Sequence, residues 1–147
     1  MRTFRLVPFA LWVGRITLGV TFLSAVADRF GVWGPHGSPH ASWGDWSHFV
    51  QYCGVVNRFA PPAVIPALAW LATGLEIVFG VALLTGFKLK YAAYGSAILL
   101  ALFAFAMTLS LGVKAPLDYS VFADVAGALM LGVLVGEQEK RSWSGPA

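Results

Sequence analysis

Four long apolar runs, residues 6–27, 63–87, 91–112 and 117–136, limit what this chain can fold into. Each is close to or above the roughly 20 residues that a helix needs to cross the hydrocarbon of a bilayer. Only 12% of the residues are charged and 58% are hydrophobic, whereas soluble domains carry roughly 25% charge. The expected fold is therefore an all-α integral membrane protein, a four-transmembrane-helix antiparallel bundle. It forms one membrane domain over residues 1–147, with a first external loop at 28–62 and a tail at 137–147.

Charge orients the bundle. Arg2, Arg5, Lys88, Lys90, Lys140 and Arg141 fall on the side of the termini, against Arg29, Arg58 and Lys114 on the other. The positive-inside bias then places both termini in the cytoplasm of a prokaryotic plasma membrane. The net charge of +3 comes with no basic cluster beyond pairs such as Lys88 and Lys90, so no nucleic-acid partner is expected. Ala25-Val26-Ala27 after a short basic segment resembles a signal-peptide end, but Arg15 inside the run argues for a retained spanning helix. Cys53 is the only cysteine, which excludes an internal disulfide and a Cys-x-x-Cys relay within this chain. Membership in a redox complex stays open.

The external loop has its own pattern. Gly31, Gly34, Pro35, Gly37, Ser38 and Pro39 read as turns, and Trp33, Trp43 and Trp46 are the aromatics expected at a membrane interface. After Asp45, a plausible N-cap, Trp46, Phe49, Val50 and Cys53 recur at i, i+3, i+4 and i+7. That spacing predicts a short amphipathic helix lying in the interface over the mouth of the bundle.

Four charges lie inside the apolar runs, Asp118 near the outer end of the last and Arg15, Glu76 and Asp124 deeper. An acid at the centre of a spanning helix costs roughly 2.5–3.5 kcal/mol on insertion scales and turns toward a partner or a cavity. Glu76 shares a face with Ala69, Ala72, Thr73 and Gly80, and Asp124 with Ser120, Ala128, Gly132 and Gly136, so both belong to packing faces. At 1.5 Å per residue from the outer helix ends, Arg15 and Glu76 reach depths of roughly 18 and 17 Å and Asp124 about 10 Å. An Arg15–Glu76 ion pair with Asp124 within reach is expected, either as a proton site or as a device that fixes helix register. His36, His40 and His48 all fall in the external loop, where Gly and Pro break the spacing of the first two. Neither a metal centre nor haem ligation is expected.

Gly14-Arg15-Ile16-Thr17-Leu18-Gly19-Val20-Thr21-Phe22-Leu23, Leu75-Glu76-Ile77-Val78-Phe79-Gly80-Val81-Ala82-Leu83-Leu84-Thr85-Gly86 and the basic turn that follows resemble the DoxX family of small prokaryotic membrane proteins. The resemblance implies four helices and, for some members, a link to thiosulfate:quinone oxidoreductase or to complexes that handle oxidative stress. It also implies that Arg15 and Glu76 are characteristic polar positions, and it carries over no catalytic residue.

The expected function is a subunit of a quinone-linked membrane redox complex. A quinone would sit at the bundle mouth among Asp28, Trp33, Trp43, Trp46 and His48, with Arg15, Glu76 and Asp124 handling protons and a partner subunit supplying electrons. The alternatives are a non-catalytic scaffold or assembly subunit and a proton-coupled carrier of a small solute, and the expected protein partner is a redox subunit or a second copy of the chain. No covalently bound cofactor is expected.

Overall fold

The computed structural model describes residues 3–143, with side-chain surroundings from 6 to 142. Six α-helices account for most of them: α1 Thr3–Arg29, α2 Trp46–Val56, α3 Ile65–Thr85, α4 Leu89–Leu111, α5 Lys114–Asp118 and α6 Val121–Trp143. A single 3₁₀ turn, Pro62–Val64, leads into α3. Four of the helices, α1, α3, α4 and α6, are long and apolar enough to span a membrane. The protein is thus an all-helical, multi-pass membrane protein, and its bilayer-facing residues, such as Leu6, Trp12, Val78, Ile98 and Met130, are exposed around the bundle.

Local chemistry sets the helix ends. α1 closes in a Schellman motif in which Val32 N–H donates to Ala27 O at 3.1 Å and Gly31 N–H to Asp28 O at 3.0 Å. Gly31 takes the required left-handed conformation, φ 77°. α2 begins at Asp45, whose carboxylate accepts the backbone N–H of His48 at 3.0 Å, as its position before the apolar pattern predicts. α6 starts later than the apolar run suggests. α4 stops at Gly112, the short α5 follows, and Ser120 (φ 57°) breaks the chain before α6 begins at Val121.

α1 lies along α3 and α4 along α6, and the two pairs meet at α3–α4 and α1–α6. Lipid tails are as apolar as leucine, so packing at close range holds such pairs together, and small residues allow it. A Cβ on Gly19 would stand 2.8 Å from Leu84 Cγ and 3.0 Å from Gly80 O, and one on Gly132 would stand 3.0 Å from the Tyr94 ring. The Gly132 and Gly136 pair therefore serves the contact between α6 and α4, Gly136 meeting Lys90. Overpacking of this kind costs about 1–3 kcal/mol. Gly19→Ala is expected to lower the midpoint of unfolding in mixed micelles by an amount corresponding to about 1–2 kcal/mol, whereas Gly74→Ala, where nothing lies within 4 Å of the added methyl, leaves it unchanged or raises it. Equal effects at the two sites would contradict this packing.

α2 lies across the loop end of the bundle. Phe49, Cys53 and Val56 are buried, with Phe49 and Cys53 packing against Ile65 and Ala69 of α3, and Ser110 Oγ of α4 donates to Val56 O at 2.8 Å. The start of α1, the end of α6 and the Gly86–Lys88 turn share the opposite end.

Candidate functional site

Beneath α2, Arg29 and Glu76 form a buried ion pair, each only 3% exposed. Arg29 Nη1 also donates to Thr73 Oγ1 at 2.7 Å. Its guanidinium carbon lies 3.8 Å from the centroid of the Phe49 ring and 5.3 Å from that of Trp43, close enough for cation–π attraction. Helices α1 and α3 supply the charges, and α2 and the loop supply the aromatic cover.

The pair expected between Arg15 and Glu76 is therefore made by Arg29. Arg15 Nη2 instead donates to Leu84 O at 2.8 Å, beside Gly86 at the end of α3, where a cation meets the unpaired carbonyls and the negative end of the helix dipole. The estimate of depth failed because the helix ends are not level. Gly19 rests on Gly80 and Leu84, and in that register Arg29 comes beside Thr73 and Glu76 while the first turns of α3 project beyond α1. Reading Gly19 against Gly80 as the contact would have found the right partner. Asp124 stands apart from both arginines, in the first turn of α6 because of the break at Ser120. There a carboxylate is favoured by the helix N-terminus.

Arg29 and Glu76 form the polar end of a cavity of about 1050 Å³ between α2, α3 and α4. Its walls are mostly apolar and include Leu68, Leu75, Leu99, Phe103 and Met107. Leu71, Leu102 and Phe105 also line it and are exposed on the outside of the bundle, so the cavity opens sideways toward lipid between α3 and α4. Tyr52 and Cys53 face it from α2. Burial raises the pKa of the Tyr52 phenol and pushes that of the Cys53 thiol up to about 11, so both stay protonated at neutral pH.

The five residues assigned to the mouth divide. Trp43 and His48 line this cavity. Asp28, Trp33 and Trp43 line a smaller one of about 540 Å³ on the α1 side, so Trp43 borders both. Asp28 is a structural clamp: its Oδ2 accepts the backbone N–H of Ser42 at 3.0 Å and of Trp43 at 2.9 Å, holding the loop on α1. Trp33 Nε1 donates to Ser24 O at 3.1 Å. Trp46 lines neither cavity and lies between Phe30 and Trp70, with ring centroids 5.8 and 4.0 Å away, an aromatic stack suited to the interface. Among the described residues, no three His, Cys, Asp or Glu side chains gather as metal ligands would.

The family model for methylamine utilisation protein MauE matches residues 7–118, more than half of the chain. The chain belongs to the MauE family. This multi-pass membrane family replaces the DoxX family suggested by the first two spanning segments. Those segments are short runs of small and apolar residues that record close helix packing, a demand common to unrelated membrane bundles, and both lie inside the MauE match. The match takes in Arg29, α2 and Glu76 and ends before α6 and Asp124. In comparisons with curated proteins and with solved structures, nothing matches the chain.

Proposed function

We propose that this protein is an integral membrane component of a methylamine-utilisation system, and that its lipid-open cavity takes a lipophilic, quinone-like electron carrier from the bilayer. The observation that carries this reading is the buried Arg29–Glu76 pair at the polar end of an apolar cavity that opens toward lipid. Oxidation of methylamine to formaldehyde and ammonia releases two electrons and two protons, which need an acceptor. A quinone accepts both. An apolar chamber suits its tail, the Arg29 guanidinium suits a head-group oxygen, and a carboxylate held beside that arginine suits proton exchange. Electrons reach the site from a partner subunit. The basic end of the bundle, now including Arg15 beside Gly86, faces the cytoplasm of a prokaryotic cell.

Glu76→Gln keeps the shape and hydrogen-bonding capacity of the side chain and removes its charge. Counted per assembled complex, so that any loss of folded protein from the uncompensated Arg29 is set aside, it is expected to reduce quinone-dependent methylamine oxidation by about 10²-fold, the usual scale for loss of a proton-transfer group. Undiminished turnover, or mass spectra of the purified protein without co-purifying quinone, would overturn the reading.

A second reading is a scaffold that assembles the system, favoured by the way Arg29 ties α1 to α3 through Thr73 and Glu76. On that reading Glu76→Gln lowers the amount of folded protein and leaves turnover per assembled complex unchanged.

A further inference from the structure

His36 and His48 stack face to face on the loop side of the cavity, with ring centroids 3.5 Å apart and planes within 5°. Both line the cavity. His36 belongs to the loop and His48 to α2, so the stack joins the cover to the helix beside it. We propose that the His36–His48 stack is a proton-operated latch, which holds the loop of residues 30–45 over the cavity at neutral pH and releases it in mild acid. This does not depend on what the cavity binds.

The hydrogen bonds fix where protons sit. His36 Nδ1 lies 2.9 Å from Trp43 O, and His48 Nδ1 lies 2.7 Å from Asp45 Oδ2. A carbonyl and a carboxylate only accept, so both Nδ1 atoms carry hydrogen and each ring has Nε2 left to protonate. One added proton is tolerated, because the Asp45 carboxylate supports a charged His48 and a charged ring can stack on a neutral one. A second would put two cations face to face with one carboxylate in contact.

Asp45 stays ionised through mild acid. The backbone N–H of His48 foremost, then the Ser47 hydroxyl and the His48 ring, hold its carboxyl well below the usual range. The other charged and titratable groups around the stack do not supply a second counter-charge. Glu76 of α3 is matched by Arg29 of α1, Asp28 of α1 is engaged by the Ser42 and Trp43 amides, and burial keeps Tyr52 and Cys53 of α2 protonated. His40 of the loop lies across Trp43 on the smaller cavity, and Tyr119, before α6, borders both cavities.

His36 is the partner free to move. His48 is inside a helix capped by Asp45, whereas His36 lies between Gly34 and Gly37, both at positive φ. Gly44 lets the loop fold back there, since a Cβ at that position would collide with the backbone of Pro35 and His36. Because His36 holds the Trp43 carbonyl and Trp43 borders both cavities, a released His36 loosens the wall between them.

Cys53 is a built-in reporter, as the sole cysteine, 6% exposed and on the cavity wall. The full-length protein in lipid nanodiscs is labelled with a small maleimide between about pH 7.5 and 5.5, the window in which imidazoles charge. At each pH the rate is divided by that of His36→Phe, which keeps a stacked ring without charge, so that the thiol's own ionisation cancels. The ratio is expected to rise about fivefold or more toward pH 5.5 as local opening exposes the thiol, and exchange of the Ser42 and Trp43 amides should accelerate in parallel relative to the variant. His48→Phe should reproduce the pH-independent behaviour and serves as reference if His36→Phe does not fold. A ratio that stays flat, or a rise shared by His48→Phe, overturns the latch.

Discussion

Replacing Glu76 with leucine is expected to lower the unfolding free energy by about 3–5 kcal/mol, the usual cost of leaving one member of a buried ion pair alone. Arg29→Met should cost less. The reason is an asymmetry in the two side chains: a stranded carboxylate can take up a proton and become neutral, and a guanidinium cannot. With both replaced, the site becomes apolar inside apolar surroundings, and most of the loss should return. Denaturation in mixed micelles measures all four members of the cycle. If the double variant is as unstable as the sum of the singles, Arg29 and Glu76 are not coupled and the site is wrongly drawn. The cycle also bears on the functional reading, since an ion pair kept only for stability would be replaceable without loss of turnover.

The second large effect is expected at Asp28. Its Oδ2 takes two backbone N–H groups from the loop, and Asp28→Ala removes the acceptor for both. Hydrogen bonds to a charged acceptor contribute about 1.5–3 kcal/mol each. With one of the two amides near solvent, the summed loss should be about 2–4 kcal/mol. It should show as fast exchange of the Ser42 and Trp43 amides and as cleavage between residues 30 and 45 by added protease. Asp28→Asn keeps an oxygen in place and should recover more than half of the protection. Protection that stays at the wild-type level in Asp28→Ala would mean that other contacts hold the loop.

Much of the architecture was legible because it rests on local chemistry. Spanning length marks the four long helices, and Asp45 followed by the Trp46, Phe49, Val50, Cys53 pattern marks α2. The burial of Glu76 follows from a charge on a face of small residues. Its partner was not legible from depth, since that estimate assumed helix ends at a common level. α3 begins beyond the end of α1, α2 and the loop cover its first turns, and Arg29 at the end of α1 is therefore covered. Asp124 was misplaced for a related reason: residues 117–136 read as one spanning segment, while the backbone turns at Ser120. The contact of His36 with His48 left no trace in the spacing, because it is made by a loop folding back at Gly44. The family was obscured by the similarity of small-residue packing motifs among membrane bundles.

Arg15 and Arg29 are 14 positions apart in α1, about four helical turns, which brings them to nearly the same face. Each reaches across to α3, one to the Leu84 carbonyl and the other to Thr73 and Glu76. Two fastenings at this separation oppose both sliding of α1 along α3 and rotation against it. Among the described residues the seam between α3 and α4 carries no such side-chain hydrogen bond or ion pair and rests on apolar contacts like that of the Phe79 ring on Gly95, and it is the seam along which the cavity opens. Breathing of this bundle is thereby directed to the place where a bilayer-soluble molecule would enter.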